Sequence, residues 1–276
     1  MKRTFQTLLA ASIASVFCLG NSAEAQILVS NNFTAPGTPT NFYWSGGSFT
    51  NANFNQAWNL NSSGQQIFTT SFTPTSLAVG DTLTTTFLYN AFSNNINSIR
   101  VGLFSGTAAS SNGWSQFDSG AFSSGWIGYT GILAINSGNS AATMKTNINS
   151  NPFFGATNGS NSVALSFSNN SLNAGGLTLL RTADAMVVTL SQGADLVSLA
   201  PIVSFTNNTS AITNFNILAL YNASASQNDV RYDTVQVTYE AVPEPGTYAL
   251  LLLGGAVVFW AVRRAQRPSA SGSVAD

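Results

Sequence analysis

The chain has no histidine at all and a single cysteine in 276 residues. Without imidazole the commonest general base is missing, and with it the Ser-His-Asp and Cys-His nucleophiles and most zinc sites. Cys18 lies in an N-terminal apolar stretch that reads as removable, so disulfides, thiolate metal sites and cysteine nucleophiles are not expected in the mature chain. Charge is also scarce. Between Gln26 and Glu240 the bases are Arg100, Lys145, Arg181 and Arg231, and the acids are Asp81, Asp118, Asp184, Asp195, Asp229, Asp233 and Glu240. No basic stripe can form from four scattered cations, so a nucleic-acid partner is not expected. Sustained helical periodicity and a repeat of fixed length are lacking too, which argues against helical bundles, propellers and solenoids.

What is present at the front is an export signal. Lys2 and Arg3 precede an apolar run from Leu8 to Leu19, and Ala23-Glu24-Ala25 puts small residues at the minus-three and minus-one positions of a cleavage site after Ala25. Residues 1–25 are therefore read as a signal peptide for the export machinery and signal peptidase. A retained membrane helix fits less well, because the run is short and broken by Ser12 and Ser15.

The middle, residues 26–240, holds enough Phe, Ile, Leu and Val for a core, in short runs separated by Asn, Ser and Gly. Val163, Leu165 and Phe167 alternate with serine and alanine, and Val235, Val237 and Tyr239 alternate with Thr234, Gln236 and Thr238. Further strands are expected over 66–73, 82–89, 98–104, 126–135, 185–191, 199–206 and 212–221. Asn112-Gly113, Asn158-Gly159, Gly46-Gly47 and Gly175-Gly176 read as turns, and 136–161 as long loops. The fold class predicted is all-β, an antiparallel β-sandwich. The last run, Asn228 to Tyr239, with its aspartates and alternating valines, resembles the final strand of concanavalin-like jelly-roll modules. That resemblance implies a jelly-roll-like arrangement.

The other end is the most specific part. Pro243-Glu244-Pro245 is followed by an apolar run, Tyr248 to Val262, and then by Arg263-Arg264. The prolines predict an extended strip accessible to a processing enzyme, the run a short C-terminal transmembrane helix, and the arginines a stop-transfer signal left in the cytoplasm. Motif, apolar run and basic pair occur in the order of the PEP-CTERM sorting signal, which this segment resembles, with a longer end after the arginines than is usual there. The resemblance implies recognition by an exosortase, an integral membrane cysteine protease. It further implies transient residence in the inner membrane, cleavage near the motif, and transfer to the cell surface or extracellular matrix. On this reading 241–265 is the sorting signal and 266–276 a disordered tail. A plain anchor kept for good has the same layout but no need of Pro-Glu-Pro.

Three candidate sites remain in the ectodomain. Trp114, Trp126 and Tyr129 lie among glycine and serine and either stack on a glycan, such as extracellular polysaccharide, or fill the core. Asp229 and Asp233 are either ligands of a structural calcium ion or solvated turn residues. No other cofactor is expected. Paired carboxylates, Asp229 with Asp233 or Asp184 with Asp195, would allow a secreted carbohydrate-active enzyme. The scarcity of acids favours instead a non-catalytic structural, adhesive or glycan-binding module.

Overall fold

Alternating threonines and large apolar residues give this chain strands that are wet on one side and dry on the other, and two sheets bury the dry sides against each other. The computed structural model describes residues 25–33, 41–45, 48–51, 58–61, 65–91, 96–108, 126–134, 141–147, 157–161, 172–208, 212–224, 230–242 and 245–265. In chain order the strands begin with β1 (Gln26–Asn31), β2 (Phe42–Ser45), β3 (Ser48–Asn51), β4 (Trp58–Asn61) and β5 (Gln65–Ser76). They continue with β6 (Thr82–Ala91), β7 (Ile96–Ser105), β8 (Ile127–Ala134), β9 (Ala141–Asn147) and β10 (Thr157–Asn161). The last are β11 (Leu172–Arg181), β12 (Met186–Gly193), β13 (Ala200–Asn207), β14 (Asn214–Ser224) and β15 (Val230–Glu240), and a helix, α1 (Pro245–Ala265), follows. Ala25–Ala241 is one unit, and α1 belongs to another.

One sheet has eight strands in the order β13-β12-β11-β6-β15-β4-β3, with β1 also paired to β15; the other has seven, β10-β9-β8-β7-β14-β5-β2. All pairings are antiparallel. The strand with which the ectodomain ends is central. β15 pairs with β6 along its length, while its other edge takes β4 at Val230–Tyr232 and then β1 at Val235–Tyr239. Gln26 thereby lies opposite Tyr239, so the strand that opens the domain and the strand that closes it start and stop at one pole.

Between the sheets lies a continuous core. Leu83, Phe87 and Tyr89 of β6 and Tyr232, Val235 and Val237 of β15 meet Ile99, Val101 and Leu103 of β7 and Leu218 and Leu220 of β14. Aromatic rings fill one end: Phe42 stacks on Phe68 at 4.7 Å, and Tyr232 lies 6.2 Å from Phe68 and 6.1 Å from Phe87. Each such side chain contributes about 1.5–3 kcal/mol on burial, so the core rather than turn chemistry holds the fold.

The structure corrects several expectations. Gly175 and Gly176 do not turn; they lie inside β11, where a Cβ on Gly175 would come within 2.3 Å of the Phe87 ring. Glycine is there to admit the ring, a packing use of this residue in strands. Residues 136–161 are not all loop, since β9 and β10 pair within them and Asn158-Gly159 is strand. The alternating run 162–168 and Asn112-Gly113 lie outside the described residues.

Candidate binding faces and the sorting segment

Two of the three rings the sequence suggested for an aromatic platform, Trp126 and Tyr129, are buried. Tyr129 is 0 % exposed and points between the sheets, where Asn207 Nδ2 donates to its hydroxyl at 3.1 Å. Trp126 is 2 % exposed, donates from Nε1 to the Thr107 carbonyl at 2.9 Å, and stacks on Phe104 at 5.3 Å. It belongs to a second apolar cluster on the opposite face of the seven-stranded sheet, with Ile67, Ile217, Ala219 and Tyr221. Two strand glycines make room for that stack: a Cβ on Gly102 would meet the Phe104 ring at 2.2 Å, and one on Gly128 at 2.7 Å. A ring so enclosed has no face to offer a sugar. Trp114 lies outside the described residues. Trp126→Ala is therefore expected to lower unfolding free energy by about 3–5 kcal/mol, measured by denaturant titration; a change under about 1 kcal/mol would mean that the ring is not part of the packing.

The same face carries an arginine. Arg100 lies directly across from Tyr221, its guanidinium 4.8 Å from the ring centroid. Burial pulls the guanidinium below its ordinary value, countered by Tyr221, and pushes the Tyr221 hydroxyl up to about 12. The ring of Tyr221 thus offers the guanidinium a cation–π contact in place of a carboxylate.

Asp184 and Asp195 do not come together. Asp184 is exposed before β12 and Asp195 exposed after it, so the eight residues of that strand hold them roughly 25 Å apart. Their pairing is thus overturned by strand length. Asp195 instead closes its own loop, accepting from Val197 N at 3.0 Å and Ser198 N at 2.7 Å, and the hydrogen bonds with Ser198 hold its carboxyl below the usual range. Asp233 is half-buried, and desolvation raises its carboxyl; Asp229 lies outside the described residues. Among the described residues no group of three or more acidic side chains could hold a metal ion.

Two arrangements were not visible in the sequence. Asp81 is 2 % exposed at the pole where the domain ends, and its Oδ2 accepts from the Tyr239 hydroxyl at 2.7 Å and from Ala78 N at 2.8 Å. Arg181 donates from Nη1 to the Leu77 carbonyl at 2.5 Å and from its amide to the Asp81 carbonyl at 3.0 Å. The Leu77–Asp81 turn is completed by Gly80 at φ 96°, a conformation glycine adopts without strain. Together these groups hold the C-terminal end of β15 through Tyr239.

The second lies on the outer face of the eight-stranded sheet. The residues that alternate with the core form a rank running Thr238, Thr84, Thr178, Thr189, Ser204, each registered on the next across five strands. Thr84 Oγ1 donates to Thr178 Oγ1 at 3.3 Å, and Thr189 and Ser204 share a hydrogen bond at 3.1 Å. Thr86 and Gln236 continue the face beside them. None of these side chains is charged. The pattern was present in Thr82-x-Thr84-x-Thr86, but only register converts a line along one strand into a surface across five.

The tail forms a single 21-residue helix with Arg263 and Arg264 exposed in its last turn, Arg264 lying 5.2 Å from the Trp260 ring centroid. Pro245 is not part of an extended strip; it is the first residue of the helix, where a missing amide costs nothing. Pro243 and Glu244 lie outside the described residues, as does Ala23, while Ala25 is exposed just before β1. Among the described residues no helix is long and apolar enough to cross a membrane, so the expected short transmembrane helix exists as a helix without qualifying as a span.

With this geometry in place, the class of the molecule follows. The sandwich is similar to solved lectins: basic winged bean lectin with Tn-antigen (TM-score 0.51, 7 % identity, 79 % of this chain and 99 % of that one) and lectin II from Ulex europaeus (0.50, 11 %, 80 % and 100 %). The Emp46p carbohydrate recognition domain in metal-free form is similar as well (0.50, 12 %, 81 % and 99 %). At such identities the likeness shows the fold, a lectin-like jelly-roll sandwich. Residues 241–265 match the PEP-CTERM protein-sorting motif, so the chain carries that signal and is an exported protein handled by the exosortase route. No curated protein matches the chain in sequence.

Proposed function

We propose that the chain is a non-catalytic surface or matrix protein whose sandwich binds neutral polysaccharide through the outer face of its eight-stranded sheet. The observation that carries this reading is the uncharged hydroxyl rank from Thr238 to Ser204. Strands spaced about 4.8 Å apart present one hydroxyl per step, with a methyl beside it at each of the four threonines, which suits an extended polymer of alternating hydroxyls and C–H faces. Scarcity of charge favours the same partner, since a neutral glycan gains nothing from a charged wall and loses nothing against this one. The lectin-like architecture supports the reading by analogy only. An enzyme reading would need a facing pair of carboxylates, and the pair Asp184 with Asp195 is held apart by β12.

Affinity gels made with neutral polysaccharides test the proposal. The exported domain is expected to be retarded, and the triple variant Thr84→Val, Thr178→Val, Thr189→Val to lose about tenfold or more in affinity while keeping its melting temperature within a few degrees. Retardation unchanged by the triple variant moves the site elsewhere. No retardation by any neutral polysaccharide removes the glycan reading.

A further inference from the structure

We infer that the mature chain begins with a pyroglutamate formed from Gln26. The inference rests on signal cleavage after Ala25, and it adds a covalent modification that neither the sorting signal nor the fold implies.

Cleavage after Ala25 makes Gln26 the first residue, with its amine and its side-chain amide on one residue. Ala25 and Gln26 are both exposed, and Ala25 precedes the first strand while Gln26 opens it, registered on Tyr239. The cut therefore falls one residue outside the ladder. It leaves no overhang in front of Gln26, and its side chain points into open solvent rather than into the core. Two polar groups of the adjoining strand are engaged elsewhere: the Tyr239 hydroxyl donates to Asp81 and the Glu240 carboxylate accepts from Thr82.

The chemistry needs no co-reactant. The neutral α-amine, whose pKa is near about 8, attacks Cδ of the Gln26 carboxamide. A new N–Cδ bond closes a five-membered lactam, the Cδ–Nε2 bond breaks, and ammonia leaves with the proton given up by the amine. The product has no terminal positive charge and no free amine for an aminopeptidase. For a protein that lives outside the cell with only four bases in its ectodomain, the end of β1 is thereby capped without a new charge.

The test is peptide mass spectrometry on the full chain recovered from the surface of an exosortase-bearing host, worked up without acid. An isotope-labelled peptide of residues 26–31 is added at lysis to report cyclisation during handling. Expected is an N-terminal peptide starting at Gln26 and lighter than its sequence by about 17 Da, refractory to amine labelling, while the added peptide stays open. The variant Gln26→Ser should start at the same position, keep its full mass and take the amine label. A peptide starting at Gln26 with a free, labelled amine overturns the modification and leaves the cleavage reading standing. A chain starting at any other residue overturns the cleavage reading, and the modification with it.

Discussion

Raising the pH from 10 to 12 is expected to unfold the sandwich, after a long interval between about pH 5 and 9 in which stability hardly changes. The flat interval follows from composition, because no histidine titrates there. The alkaline limb follows from packing. Burial pushes Tyr89 up to about 12 and Tyr232 higher still, each buried between the sheets, and desolvation with the Asp81 carboxylate pushes Tyr239 up to about 12. Tyrosine in the unfolded chain ionises near about 10. Above that pH the unfolded state gives up protons that the folded state keeps. Stability conferred by neutral tyrosine is thus complete below pH 10 and lost as pH rises through the folded values. Two fully buried hydroxyls such as Tyr89 and Tyr232 remove about 3 kcal/mol per pH unit between them, and two units consume much of a typical domain stability of about 5–15 kcal/mol. Circular dichroism and phenolate absorbance, followed together, are expected to change at the same pH. Phenolate appearing near pH 10 with the β signal intact would show that these rings are not enclosed. Among the described residues the Tyr232 hydroxyl has no hydrogen-bond partner, so Tyr232→Phe should retain or raise stability at neutral pH and shift the alkaline limb upward.

The elements that could be read from sequence are those in which polarity alone decides the face. β6 and β15 alternate threonine with Leu83, Phe87, Val235 and Val237, and a period of two has only one way to pack. β12 is similar, with Met186, Val188 and Leu190 inward. β11 escaped because Gly175-Gly176 is, locally, an ideal turn sequence; its strand state is imposed by Phe87 from the neighbouring strand, which no window along the chain contains. β9 and β10 escaped for the opposite reason. Among the described side chains of β9 the buried hydrophobics are Ala142 and Met144, both small or flexible, so the pairing left little trace among the Asn, Ser and Gly.

The site divides in the same way. Trp126 and Tyr129 were attractive as sugar-stacking rings because glycine and serine surround them in sequence. Gly102 and Gly128, from two strands, are what allow Phe104 and Trp126 to lie flat on the sheet and close over it. Glycine beside an aromatic ring reads as exposure in one dimension and as close packing in three. The threonine rank behaves conversely: unremarkable on each strand, it becomes a surface through four successive registers. Asp81 also gains its meaning from a partner far away in the chain, Tyr239.

Replacing Pro243, Glu244 and Pro245 together by alanine is expected to abolish release of the chain from the membrane. The signal at 241–265 was legible because its motif, apolar run and basic pair follow one another along the sequence, so that order in sequence is the signal itself. Tyr248 to Val262 at 1.5 Å per residue covers about 22 Å against a hydrocarbon thickness of about 30 Å, in keeping with a helix too short and too little apolar to cross a membrane. Arg263 and Arg264 stand exposed in the last turn, a placement that favours a cytoplasmic membrane interface. In an exosortase-bearing host, intact mass of the surface-released wild type should exclude Arg263 and everything after it. The triple variant should remain in the membrane fraction with its C-terminus complete, and its sandwich should melt as the wild type does, since none of the three residues lies in 25–241. Wild-type protein released with Arg263 still attached, or the triple variant released and shortened like the wild type, would overturn processing at this motif.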